Sequence, residues 1–249
     1  MKRSLNILIL FLAFFILFFF HKHNDPYTQP QQFVPKHIIN YNSIVYIRNI
    51  NLIEQSMGMG SGVILSSSPE ESLVLSAAHV CFPDNTPSTF WKHTFIYIDV
   101  TTHYGVDYIT SIKAIDFIND ICILSIKDNL HNDVKISLVE PLIGDEVWTS
   151  GYPLGVWSNQ FAPTFHGFYA GNMENDAVYT IPTTNGMSGS PVFNTNGEMI
   201  SIISRTTGEF PEIALGPRLY ALKLLIEECV KKGGKDFQCL PPTTINQQP

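Results

Sequence analysis

From Tyr41 to Lys232 the chain breaks into short apolar runs, rich in β-branched and aromatic residues and divided by Gly, Pro, Asn, Asp and Ser. That pattern reads as many short strands joined by turns. We place strands at Ser43–Ile47, Gly62–Ser66, Leu73–Ser76, Thr94–Val100, Tyr108–Ile115 and Ile121–Ile126. A second set follows at Glu146–Tyr152, Thr164–Ala170, Ala177–Pro182, Pro191–Asn194 and Met199–Arg205. The expected fold is all-β, a sandwich or barrel, because no helical periodicity alternates with the strands. One stretch does carry the helical period: Leu222, Leu225, Ile226 and Cys229 recur at i, i+3, i+4 and i+7 within Leu219–Lys232.

The chain ends follow other patterns. Met1-Lys2-Arg3-Ser4 precedes an apolar run from Leu5 to Phe20, interrupted only by Asn6. A basic start followed by an apolar run is the layout of an export signal. As a helix this run spans roughly 24 Å, a little short of a hydrocarbon core of about 30 Å. Ala13 is its only small apolar residue, and large side chains continue to His21. We therefore expect an uncleaved signal-anchor over a cleaved signal peptide, and either over a buried core helix. Lys2 and Arg3 against Lys22 orient the folded part outside the cytoplasm. The expected division is a hydrophobic helical segment at 1–23, holding the membrane through residues 5–20, and a Pro- and Gln-bearing linker at 24–40. Two β-units follow at 41–134 and 135–232, the second carrying the helix, and then a polar tail at 233–249.

Composition narrows the function. Of 249 residues 45% are apolar and 15% charged, with a net charge of −7. Nucleic-acid binding needs a basic face, and no such cluster occurs beyond the first few positions, so that class is set aside. Cys81, Cys122, Cys229 and Cys239 form no CxxC pair and have no zinc-like His spacing. We expect neither a metal nor a cofactor. In an exported domain four cysteines allow up to two disulfides in three connectivities. Cys229 and Cys239 are the nearest pair in sequence, Cys122 reads equally as a buried thiol, and the pairing stays open.

Three segments carry candidate chemistry. In Val74-Leu75-Ser76-Ala77-Ala78-His79-Val80 an apolar strand ends in two alanines and an imidazole. In Asn119-Asp120-Ile121-Cys122-Ile123-Leu124 an acid opens an apolar strand, with Asp116 the competing acid. In Gly186-Met187-Ser188-Gly189-Ser190-Pro191-Val192 glycines flank a serine before a strand. Such glycines permit a tight loop that presents one hydroxyl and brings the Gly186 and Ser188 amides toward a developing oxyanion. A hydroxyl is a weak nucleophile without a neighbouring base, so the three segments gain meaning together.

GMSGSP resembles the GxSGxP nucleophile loop of the chymotrypsin/trypsin superfamily of serine proteases. LSAAHV is similar to its TAAHC segment and NDICIL to its DIALL segment. The order His, Asp, Ser is the family's, with 41 residues from His79 to Asp120 and 68 from Asp120 to Ser188. The resemblance covers roughly Tyr41 to Lys232. It implies two perpendicular six-stranded antiparallel β-barrels with the site between them and a C-terminal helix outside. It also implies a serine endopeptidase acting on polypeptides, with catalytic residues His79, Asp120 and Ser188 and an oxyanion hole from the Gly186 and Ser188 amides.

Departures from the trypsin pattern point to compact members, closer to bacterial high-temperature-requirement proteases, glutamyl endopeptidases and viral chymotrypsin-like proteases. Met187 stands where zymogen-activated members carry an acid, so activation through that ion pair is not expected. Val80 fills the slot of the usual cysteine, and Cys81 follows it. The resemblance puts the pocket wall at Pro182, Thr183 and Ile203, which disfavours Lys or Arg before the scissile bond and favours a small or apolar residue. A silent protease-like module that binds peptides, and a non-proteolytic esterase, are the competing readings.

Overall fold

The computed structural model describes residues 39–51, 56–82, 96–156, 158, 161–208 and 210–231. The segment expected at 1–23 with its membrane contact through residues 5–20, most of the 24–40 linker, and the tail at 233–249 lie outside these residues. No helix among the described residues is long and apolar enough to cross a membrane.

The described chain forms two antiparallel sheets of seven strands each. The first contains β1 (Ile44–Asn51), β2 (Ser56–Ser67), β3 (Ser72–Ser76), β4 (Ile96–Thr101), β5 (Asp107–Ile109), β6 (Ser111–Asp116) and β7 (Ile121–Ile126). Its order is β5-β4-β1-β2-β3-β7-β6. The second contains β8 (Glu146–Ser150), β9 (Thr164–Met173), β10 (Asp176–Tyr179), β11 (Pro191–Asn194), β12 (Met199–Ile202), β13 (Arg205–Thr207) and β14 (Phe210–Pro217). Its order is β12-β11-β8-β9-β10-β14-β13. A single helical turn, α1 (Ala78–Cys81), follows β3, and α2 (Leu219–Lys231) ends the described chain. Leu219, Leu222 and Leu225 supply the buried face of α2, as the 3.6-residue period requires.

Seven strands replace the expected six in each sheet, for identifiable reasons. The run Tyr108–Ile115 is cut at Thr110, whose amide and hydroxyl both donate to the Ile98 carbonyl, at 3.1 and 3.0 Å, ending one ladder before the next begins. The run Met199–Arg205 breaks at Ile203 and Ser204, which turn toward the neighbouring loop. The segment Phe210–Pro217 carries two prolines and Gly216 without clean alternation, a composition that disguises a strand. Position nevertheless leaves it no choice, since it pairs with β10 and β13.

Register decides what meets what. β1 alternates between buried and half-buried positions, as a strand with one covered face should. β7 is buried at all six positions and reads as a continuous apolar run. In the antiparallel β3–β7 pair Ser76, the last residue of β3, lies opposite Cys122 near the start of β7. The chain leaving β3 toward His79 therefore runs beside the chain entering β7 from Asp120.

Candidate active site

His79 sits in α1, immediately beyond the buried Ala77 and Ala78. Larger side chains at those two positions would displace the turn from the sheet. The turn is capped by the buried Asn49, whose Nδ2 donates to the Val80 carbonyl at 3.2 Å and to the Cys81 carbonyl at 2.9 Å. Asp120 faces it with both carboxylate oxygens. Oδ1 accepts the His79 backbone N–H at 2.9 Å, and Oδ2 lies 2.8 Å from His79 Nδ1. The Ser204 hydroxyl donates to the same Oδ2. Burial pushes the Asp120 carboxyl up, but the hydrogen bond and charge of His79, with the Ser204 hydroxyl and the His79 amide, outweigh it and hold the group below its ordinary value. Asp120 also adopts left-handed backbone, φ +54°, a region that Asp tolerates better than most residues. The competing Asp116 is spent locally: its carboxylate accepts the Ile118 and Asn119 amides and the Asn119 side chain, shaping the turn that aims Asp120.

The loop Gly186–Val192 comes from the second sheet. Gly186 (φ +89°) and Gly189 (φ +85°) both need glycine. A Cβ at 186 would lie 2.5 Å from the Tyr152 carbonyl oxygen, and one at 189 would strike the Ser61 carbonyl. The Asn185 carbonyl accepts the Leu154 amide at 2.6 Å, and the Met187 carbonyl accepts the Ser190 amide at 2.9 Å. In trans peptides the next N–H points the opposite way, so the Gly186 and Ser188 amides face away from those partners. Among the described residues no backbone carbonyl takes either of them.

Ser61 of β2 ties this loop to the first sheet. Its amide donates to the Ser188 carbonyl at 2.7 Å and its hydroxyl to the Gly186 carbonyl at 2.8 Å. Ser61 and Ser204 were not legible as site residues, because their partners lie 125 and 84 positions away.

Met187 has no exposed surface and packs into the second sheet's core with Val147, Tyr179, Ile181, Val192 and Ile203. The position anchors the loop by apolar burial instead of an ion pair. Met187→Ala should cost about 2–5 kcal/mol of stability. Thermal or urea unfolding of the variant checks this, and a loss below about 1 kcal/mol would remove Met187 as the anchor.

His79, Asp120 and Ser188 line one cleft of about 380 Å³ together with Thr183, Thr184, Asn185, Ile203, Ser204, Arg205 and Thr206. Two of the three residues expected on the pocket wall, Thr183 and Ile203, line it. Pro182, exposed between the buried Ile181 and Thr183, is not among the lining residues. The Ser188 hydroxyl bonds the Ser204 carbonyl at 3.4 Å, and no hydrogen bond joins it to His79 in this structure. Among the described residues no cluster of His, Cys, Asp or Glu could hold a metal ion.

The cysteines pair in a way the sequence left open. Cys81 and Cys122 form a disulfide, with Cα atoms 6.5 Å apart, so Cys122 is not a free buried thiol. Cys239 lies outside the described residues, and the reading that pairs it with Cys229 falls there too.

Comparison with known proteins adds three findings. The family described as trypsin-like peptidase domain matches residues 60–202. No curated protein sequence matches the chain. Among solved structures, a serine endoprotease from Yersinia pestis superposes with a TM-score of 0.63 at 20% identity. The match covers 78% of this chain and 65% of that one, a likeness of fold.

Proposed function

The chain belongs to the trypsin-like peptidase domain family, and from that premise we propose that it is a serine endopeptidase, hydrolysing peptide bonds through His79, Asp120 and Ser188 by way of an acyl-enzyme. The observation that carries the reading is the two-point grip of Asp120 on His79, through the backbone amide and Nδ1, in the cleft that also holds Ser188. With Nδ1–H donated to Asp120, Nε2 carries the free lone pair and serves as the base. Ser188 must leave the Ser204 carbonyl for Nε2. His79 takes the hydroxyl proton as Ser188 attacks the carbonyl carbon, then returns it to the leaving amine. The unclaimed Gly186 and Ser188 amides stabilise the tetrahedral oxyanion. Water repeats the sequence on the acyl-enzyme.

The cleft lining argues against Lys or Arg before the scissile bond, since among the described residues Asp120 is its only acidic side chain and is already engaged. Export of the peptidase domain is supported by the Cys81–Cys122 bond, because disulfides persist in oxidising compartments.

A fluorophosphonate probe tests the proposal. Wild-type protein should carry one label, mapped by mass spectrometry to Ser188, and Ser188→Ala should carry none. Equal labelling of the two proteins would overturn it.

A further inference from the structure

We propose that the Cys81–Cys122 disulfide is a positioning clamp on the His79–Asp120 couple, so that turnover depends on the oxidised pair and falls when a dithiol reduces it. The inference rests on the triad reading above. Each cysteine lies two residues beyond a member of that couple, so the bridge joins the two catalytic backbones by the shortest covalent route in the fold.

The geometry shows why a clamp matters here. α1 is four residues long, a single turn that cannot hold itself as a helix. Without the bridge its restraints are the burial of Ala78, Val80 and Phe82 and hydrogen bonds, from Asn49 to the Val80 and Cys81 carbonyls and from His79 to Asp120, none of them covalent. Asp120 occupies left-handed backbone, a region that Asp tolerates but that still costs relative to extended or helical backbone. Downstream, Ile121 pairs with Asp116 and Cys122 with Ser76 in the ladders, and Cys122 is also joined to Cys81 through sulfur. Opening the bridge frees α1 to drift from β7 and lets Asp120 relax, and a misplacement on the order of 1 Å lowers turnover about 10²-fold.

Reduction is balanced as thiol–disulfide exchange. A thiolate of dithiothreitol attacks one sulfur, and the other leaves as a thiolate and is protonated. The reagent's second thiol then closes on its own sulfur and releases the remaining cysteine, so two electrons and two protons pass to the protein. Both cysteines are fully buried, so exchange proceeds through local opening and is slow.

The test compares the full-length oxidised protein, the same protein reduced until mass spectrometry counts Cys81 and Cys122 as alkylated, and Cys81→Ala/Cys122→Ala. The readouts are the inactivation rate and apparent affinity of a fluorophosphonate probe, with circular dichroism, all well below the unfolding temperature. The reduced protein and the double variant should react about 10–100-fold more slowly at unchanged probe affinity and unchanged far-ultraviolet signal. Glutathione disulfide should restore the unalkylated reduced protein, whereas the double variant should ignore both reagents. Cys229→Ser/Cys239→Ser should respond like wild type. A folded reduced protein or double variant that reacts as fast as the oxidised wild type would overturn the clamp and leave a merely stabilising bond. If oxidised wild type fails to react at all, the triad reading itself falls.

Discussion

Ser188→Ala, His79→Ala and the two together should each lower kcat by about 10⁶-fold, equivalent to about 8 kcal/mol of transition-state stabilisation. The equality is the informative part. On the proposed route Ser188 reacts only if its proton has somewhere to go, and His79 has nothing to activate once the hydroxyl is gone. Either loss removes the whole covalent route, so the second substitution has no catalysis left to subtract. Residual turnover of about 10³–10⁴ over water should survive in all three, because the Gly186 and Ser188 amides and the cleft remain. The measurement is single-turnover hydrolysis of a peptide substrate by wild type, both single variants and the double. If the two losses add instead, the residues act independently and the acyl-enzyme route is wrong.

The parts of this site that were legible in the sequence are those whose chemistry is written locally. His79 follows a strand and two alanines, Asp120 opens an apolar strand, and Ser188 lies between glycines that a left-handed loop demands. The strands were legible to the same extent, since β1, β3, β7 and β11 announce themselves by apolar or β-branched runs. What escaped depends on partners far along the chain. Ser61 sits in a Gly-Ser-Gly stretch just ahead of the strand expected at Gly62–Ser66, yet it lies within β2, its hydroxyl bonds the Gly186 carbonyl and its amide the Ser188 carbonyl. Ser204 looks like a strand-end serine until the second sheet swings it onto Asp120. Cysteine pairing was illegible for the same reason. Sequence proximity favoured Cys229 with Cys239, whereas the β3–β7 register brings Cys122 beside the chain that leads to Cys81. β14 was hidden by its prolines and becomes a strand only because β10 and β13 offer it edges.

The second large effect should come from Asp120→Asn, with kcat falling about 10⁴-fold while the fold persists. Asp120 accepts three hydrogen bonds, from the His79 amide, His79 Nδ1 and the Ser204 hydroxyl. Asparagine has one acceptor oxygen and one donor amide, so it must choose. An amide group turned toward the His79 backbone N–H would set donor against donor in a site where Asp120 is 7% exposed. The oxygen therefore takes the backbone N–H, and the amide faces Nδ1 and Ser204, whose hydroxyl can rotate to accept. Nδ1 must then become an acceptor, the proton moves to Nε2, and the base that should receive the Ser188 proton already holds one. Nitrogen-15 spectra of His79 should report that tautomer change alongside the kinetic loss. The pH dependence of stability should shift too. The Asp120 carboxyl is held below its ordinary value, so its stabilising contribution is present above an unfolded-state value near ~4 and is lost as pH falls through the folded value. The asparagine variant lacks that proton uptake, so its unfolding temperature should decline less steeply than wild type below about pH 4. A variant within tenfold of wild-type kcat, with His79 still protonated on Nδ1, would show that Asp120 does not set the imidazole's tautomer.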